Sequence, residues 1–209
     1  MDISVKPRGG GSLTREQFLL REIRIVATLR LQGLSDGEIV QRVLDENLFQ
    51  YPSKTNLRRI ANVCLARLNA LDAGVPVVPA RLTVVLADGM PAPAAQVNLY
   101  AMMLVYPLVR SFMTECVGER MAHGNFHLTR TDLNAFFTNL QLQDPAAAAW
   151  TESTSNRIKS TLWNLLVQAG YLPTRTSETL QRPLLDPTVK DGIVANGHAQ
   201  LLIAYGEAA

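Results

Sequence analysis

Cysteine, histidine and aromatic residues are all scarce in this chain of 209 residues, which holds two cysteines, three histidines and 6% aromatic side chains. Cys64 and Cys116 lie far apart inside apolar helical patterns, with no Cys-x-x-Cys spacing. That excludes a disulfide framework and a zinc ribbon, and it reads as two buried thiols in a reducing compartment. His123 and His127 are four apart but lack a third ligand, so no metal site is expected. Long apolar runs are missing too. The longest, Val97 to Val109, is broken by Asn98 and Pro107 and falls short of the roughly 20 residues a membrane span needs. The opening MDISVKPRGGGSLTREQ contains no apolar signal-peptide core, and a cytoplasmic protein is expected.

Catalytic signatures are absent as well. The GGG at 9–11 lacks the frame of a phosphate loop, and no Gly-x-Ser-x-Gly elbow surrounds any serine. Glu115 and Glu119 form an i, i+4 pair of the kind that faces solvent on a helix. The expectation is a non-enzymatic protein without cofactor or metal.

What the chain does contain is enough apolar material for a packed core. It is 47% hydrophobic and 18% charged, and its length suits one large domain or two small ones. Residues 1–13 read as a flexible arm. From Thr14 the spacing of Phe18, Leu19, Ile23, Val26 and Leu29 predicts an amphipathic helix ending at Gly33. In LSDGEIVQRVLDENLF, Ser35 and Glu38 form a capping-box pattern ahead of Ile39, Val43 and Leu44. Ser53 caps a third helix, whose inner face is Leu57, Ile60, Cys64, Leu65 and Leu68. Residues 14–72 thus predict a helix-turn-helix-like domain.

Residues 73–95, rich in proline and alanine, read as a linker or surface crossing. A short strand is possible there at Leu82–Leu86, and Pro91 and Pro93 are expected to stop regular structure. Residues 96–209 predict a C-terminal helical domain. Its first helix, about Val97 to Val117, is kinked or divided at Pro107. A second is capped by Thr129 or Thr131, and a third opens after Ser153. The tail from Pro173 is turn-rich and has room for a short hairpin. The fold class predicted is mainly α, a helical bundle with helix-turn-helix or winged-helix-like units and at most a small β-hairpin.

Net charge is only +2, but it is unevenly spread. Residues 1–30 carry +3, residues 51–82 carry +4 and residues 151–185 carry +2, while the segments between them are acidic. The stretches PSKTNLRRIANVCLARL and ESTSNRIKSTLWNLLVQAG share one design. Each opens on a Ser/Thr/Asn cluster, places cations in the first two turns and then turns apolar. Ser53 and Asn56 match Ser153 and Asn156 one hundred positions later. Lys54 and Arg58 are i, i+4 neighbours with Thr55 and Arg59 beside them. Such side chains on a helix start suit phosphate oxygens and base edges, and they equally suit a solvated face. After Gly170, GYLPTRTSETLQRPLL puts Arg175 and Arg182 on the turn-rich segment that a winged helix uses to reach a neighbouring phosphate backbone.

With these segments in order, the sequence resembles the BrxA family of BREX bacteriophage-exclusion systems. The resemblance rests on LQGLSDGEIVQRVLDENLFQ, PSKTNLRRIANVCLARL, LVRSFMTECVGERM, LTRTDLNAFF, WTESTSNRIKSTLWNLLVQAGYL and LQRPLLDP, spread over about residues 15–190. It implies a small helical, non-enzymatic phage-defence component that binds DNA through helix-turn-helix or winged-helix-like parts. The positions it implies are Lys54, Thr55, Arg58 and Arg59 on one helix, with Ser155, Arg157 and Lys159 on the other and Arg175 in its tail.

Three readings stay open at this level. One is non-specific or weakly specific contact with double-stranded DNA inside a defence complex. A second is an assembly module that docks other BREX proteins through Tyr100–Val109 and Trp163. The third is RNA binding, against which the few aromatic side chains available for base stacking speak slightly.

Overall fold

The computed structural model describes residues 9–72 and 77–207. Among them are eleven α-helices and no β-strand. In chain order they begin with α1 (Leu20–Leu31), α2 (Asp36–Asp45), α3 (Lys54–Asp72) and α4 (Val77–Asp88). Next come α5 (Pro91–Val105), α6 (Pro107–Ser111), α7 (Glu119–Ala122) and α8 (Arg130–Gln143). The last are α9 (Pro145–Ala148), α10 (Glu152–Gln168) and α11 (Pro187–Ala195). Short 3-10 turns lie at Gly10–Thr14 and Ala199–Tyr205, and a π-helical stretch, Phe112–Gly118, joins α6 to α7.

The chain divides into two compact units that are not sequential halves. Of the described residues, the first takes 18–72, 77–105 and 186–197; the second takes 9–17, 106–185 and 198–207. This differs from the expected boundaries at 72 and 95. The stretch expected to link two domains is part of the first unit's core, because helix α4 runs through it. Leu82 and Leu86, expected in a strand, are i, i+4 neighbours on that helix and fully buried. Burial of one helical stripe outweighs the β preference of the intervening valines. Pro91 and Pro93 open helix α5 instead of stopping structure, since the first turn has N–H groups without partners in any case. Of residues 1–13, expected as a flexible arm, 1–8 lie outside the described residues and 10–13 belong to the Gly10–Thr14 turn.

In the first unit α5 is buried on every side from Ala94 to Val105 and forms the central helix. Arg67, also fully buried, donates to the Phe18 carbonyl at 2.7 Å, and Asn98 donates to the same oxygen at 2.6 Å. That oxygen sits just before Leu19, whose φ of 54° turns the chain into α1. The helix therefore starts at Leu20, later than the periodicity alone predicts. Arg24 donates to the carbonyls of Ala87 and Gly89, satisfying groups that the end of α4 leaves open. Helix α2 has the expected capping box: Ser35 N donates to Glu38 Oε2 at 2.8 Å and Glu38 N to Ser35 Oγ at 3.4 Å.

In the second unit Pro107 divides the long apolar helix as expected: Tyr106 is extended and α6 restarts with the proline in its first turn. Gly118 lies against the last 3-10 turn so closely that a Cβ would sit 2.6 Å from the Ile203 carbonyl oxygen. The surface expected to dock partners is buried: Tyr100, Met102, Met103, Tyr106 and Val109 have no exposed area and Trp163 is 1% exposed. Cys64 and Cys116 are buried free thiols, and burial pushes the Cys64 thiol up to about 12. Among the described residues no single helix is long and apolar enough to cross a membrane.

Candidate nucleic-acid interface

The second unit places three short elements around α10. Thr129 caps α8 through a reciprocal pair, donating its N–H to Asp132 Oδ2 at 2.8 Å while Asp132 N donates to Thr129 Oγ1 at 3.1 Å. Arg120 completes this corner with a 2.7 Å ion pair to Asp132. These contacts hold the Asp132 carboxyl below the usual carboxylate range, with the Thr129 backbone N–H as the main cause. One turn of helix, α9, then leads to Thr151, which caps α10 by accepting from Thr154 N. Ser153, the expected cap, is already inside the helix.

At its far end α10 stops on Gly170, with φ of +82°, a backbone region open to glycine at little cost. The following loop is braced on both flanks. Leu128 N donates to Glu178 O at 2.8 Å, Leu180 N to Phe126 O at 2.7 Å and Gln181 N to Tyr171 O at 2.8 Å. These amount to one antiparallel bridge, His127 with Thr179, in place of the expected hairpin. The loop tip is fastened to α10: the Arg175 carbonyl accepts from Trp163 Nε1 at 3.0 Å, and Arg175 Nε donates to Asn164 Oδ1 at 2.9 Å.

Arg130 joins the tip, its guanidinium 4.0 Å from the centroid of the Trp163 ring. Partial burial and the nearby Arg175 charge both lower its pKa. Two guanidiniums are thus gathered at the loop tip, and one of them, Arg175, lines a groove of about 740 Å³. Its wall is the outer face of α10, with Ser153, Asn156, Arg157, Ser160 and Asn164, and Thr14 and Gln17 flank it. Glu152 is the single acid in that lining.

The predicted residues divide accordingly. Arg157 and Arg175 meet in the groove. Lys159 lies on another side of α10, its ammonium 5.1 Å from the Phe137 ring centroid. Ser155 requires correction as a contact residue. It is buried, and its hydroxyl has no hydrogen-bond partner among the described residues. Arg130, Asn156, Ser160 and Asn164 do not stand out in the sequence as site residues. Arg130 has a signal in the cap pattern just before it, whereas its meeting with Arg175 depends on the return of the loop to α8.

In the first unit α3 begins after Ser53, whose Oγ accepts from Asn56 N at 3.4 Å. Lys54, Thr55 and Arg58 are exposed; Arg59 is half-buried and donates to Asn56 Oδ1 at 2.6 Å. Arg58 lines a smaller groove of about 420 Å³ with Gly37, Gln41, Asn62 and the carboxylate of Asp36. Arg30 pairs with Asp36 and Asp72 at the groove's edge. Burial raises the Asp72 pKa, and the Arg30 charge opposes that rise.

Comparison with known proteins adds the following. The family model described as BrxA matches residues 10–197. A BREX protein BrxA of Bacillus cereus (strain H3081.97) is 31% identical over 86% of this chain and 87% of its own length. One from Escherichia coli O9:H4 (strain HS) is 24% identical, covering 92% and 87% respectively. A crystal structure of an uncharacterized protein from Magnetospirillum magneticum superimposes with a TM-score of 0.78 at 21% identity, over 95% of this chain and 98% of that one, and so shares the fold.

Proposed function

The chain belongs to the BrxA family of BREX phage-defence systems, and from that premise we propose that it is a non-enzymatic component that binds double-stranded DNA through α10 and the loop that follows it. In this reading α8, α9 and α10 act as a helix-turn-helix and the 173–177 loop as its wing. The observation that carries it is the grouping of Arg157 and Arg175 along one polar groove, with Arg130 stacked beside the loop. A recognition helix with exposed amides, hydroxyls and an arginine fits the major groove, and a basic loop beside it reaches the adjacent phosphates. The start of α3, with Lys54 and Arg58 exposed, offers further phosphate contacts. Duplex DNA suits this surface better than single strands, because its aromatic ring, Trp163, is buried and closed to base stacking.

The test is anisotropy of a labelled duplex of about 30 base pairs titrated with protein at about 50 and about 200 mM salt, with single-stranded DNA and duplex RNA in parallel. Duplex DNA is expected to bind, with affinity falling steeply as salt rises. The R157A/R175A double variant should bind more weakly and with a shallower salt slope. Equal binding by variant and parent would move the contact surface elsewhere, and preference for RNA would replace DNA as the ligand.

A further inference from the structure

We propose that the outer face of α10 reads base edges, so that the duplex ligand is a defined sequence and Asn156 is a residue that selects adenine within it. This rests on the DNA-binding reading above and goes beyond it.

The α10 residues that line the groove are Glu152, Ser153, Asn156, Arg157, Ser160, Thr161 and Asn164, a strip about three turns long. Only one of these is a cation. A surface evolved for the phosphate backbone alone would hold lysine and arginine along its length, because affinity there comes from counterion release. Amides and hydroxyls release no counterions. Their value lies in pairing a donor with an acceptor, which a base edge can match and a row of phosphate oxygens, all acceptors, cannot. An amide presents both groups side by side, the geometry that adenine N6 and N7 complement.

The amide of Asn156 is free for that role. It is exposed, and no side chain or backbone group among the described residues holds it. Asn164 differs, since its oxygen is already engaged by Arg175 Nε. Asn56 in the other helix start has likewise given its oxygen to Arg59. Cations flank the amide: Arg157 is its chain neighbour, and Arg175 comes from the loop at the groove's end. This is the arrangement of backbone anchors around a reader.

The experiment is selection of the full-length chain on a random duplex library through several rounds, followed by sequencing and by anisotropy on the enriched duplex and a shuffled control. An enriched motif containing adenine is expected. Replacing Asn156 with alanine should reduce the ratio of affinities for motif over shuffled duplex by about tenfold or more. R175A should weaken both duplexes in the same proportion and leave the ratio intact. Because Asn156 is exposed and its amide unengaged, its alanine variant is expected to fold, which its circular dichroism and melting temperature check directly. Binding without enrichment would overturn this inference and leave the DNA-binding reading standing. An enriched motif indifferent to N156A would also overturn it, and no duplex binding at all would overturn both.

Discussion

The starts of α3 and α10 look like copies in sequence and differ as surfaces. Counted from their caps, Ser53 and Thr151, Leu57 corresponds to Ser155 and Ile60 to Ile158, all four buried. Arg59 then corresponds to Arg157. Outside that shared frame the chemistry parts: Lys54 and Arg58 on α3 stand where α10 has Glu152 and Asn156. The apparent match of Ser53 and Asn56 to Ser153 and Asn156 is out of step with the caps by two residues, and that shift is why sequence places Ser155 at the surface. Packing surroundings widen the difference. Helix α2 brings Asp36 to the groove of Arg58, whereas a loop brings Arg175 to the groove of Arg157. A polar, cationic helix start therefore does not define a binding surface by itself. The neighbouring element decides whether its charge is offset or reinforced.

That comparison can be broken most forcefully at Trp163, the pin between α10 and its loop. Trp163→Ala should destabilise the fold by about 3–5 kcal/mol in urea melts, as removal of a large buried ring does, and it should release both Arg175 and Arg130. Next in size is a contest between the two helix starts. Removing Arg130, Arg157 and Arg175 together should lower the salt slope of duplex binding by up to about 3, at roughly 0.9 for each phosphate no longer neutralised. The K54A/R58A/R59A variant should lower it by less, because Arg59 is held by Asn56 and Arg58 shares its groove with Asp36. The reverse order in the same titrations would make α3 the main DNA-binding helix.

Ser155→Ala sharpens the frame itself. Removing a buried hydroxyl that makes no hydrogen bond should raise stability by about 1 kcal/mol and leave DNA affinity unchanged. A drop in affinity in that variant would restore Ser155 to the interface. The smallest effect concerns the cap of α8. The folded Asp132 carboxyl titrates below its unfolded value, so its contribution is present above roughly pH 4 and disappears as pH falls through the folded value. Asp132→Asn should therefore cost about 1 kcal/mol near neutral pH and show a smaller further drop between about pH 7 and about pH 3. Denaturant midpoints at the two pH values measure both.

The helical class, the Ser35–Glu38 box, a cap at Thr129 or Thr131, the break at Pro107 and the inner faces of α2 and α3 were all legible in sequence, because each depends on residues within a turn or two of one another. So was the family, through the ordered set of segments. The candidate groove was legible only in part. Arg157 and Arg175 could be picked out, but Asn156, Ser160 and Arg130 could not, since nothing local distinguishes a polar residue facing a groove from one facing water.

By itself the sequence determined the helical class, the cap of α2, the break at Pro107 and the apolar stripes of α2 and α3, since caps, prolines and three- to four-residue spacing act over a few ångströms along the chain. Only the tertiary structure decided which surfaces remain. It drew the segment expected to be a linker into a core as α4, folded the chain into two interleaved units and buried Ser155. It also carried Arg175 back to α10. The physical reason is common to all four: burial and charge proximity depend on residues distant in sequence coming together, and local pattern carries no record of those partners.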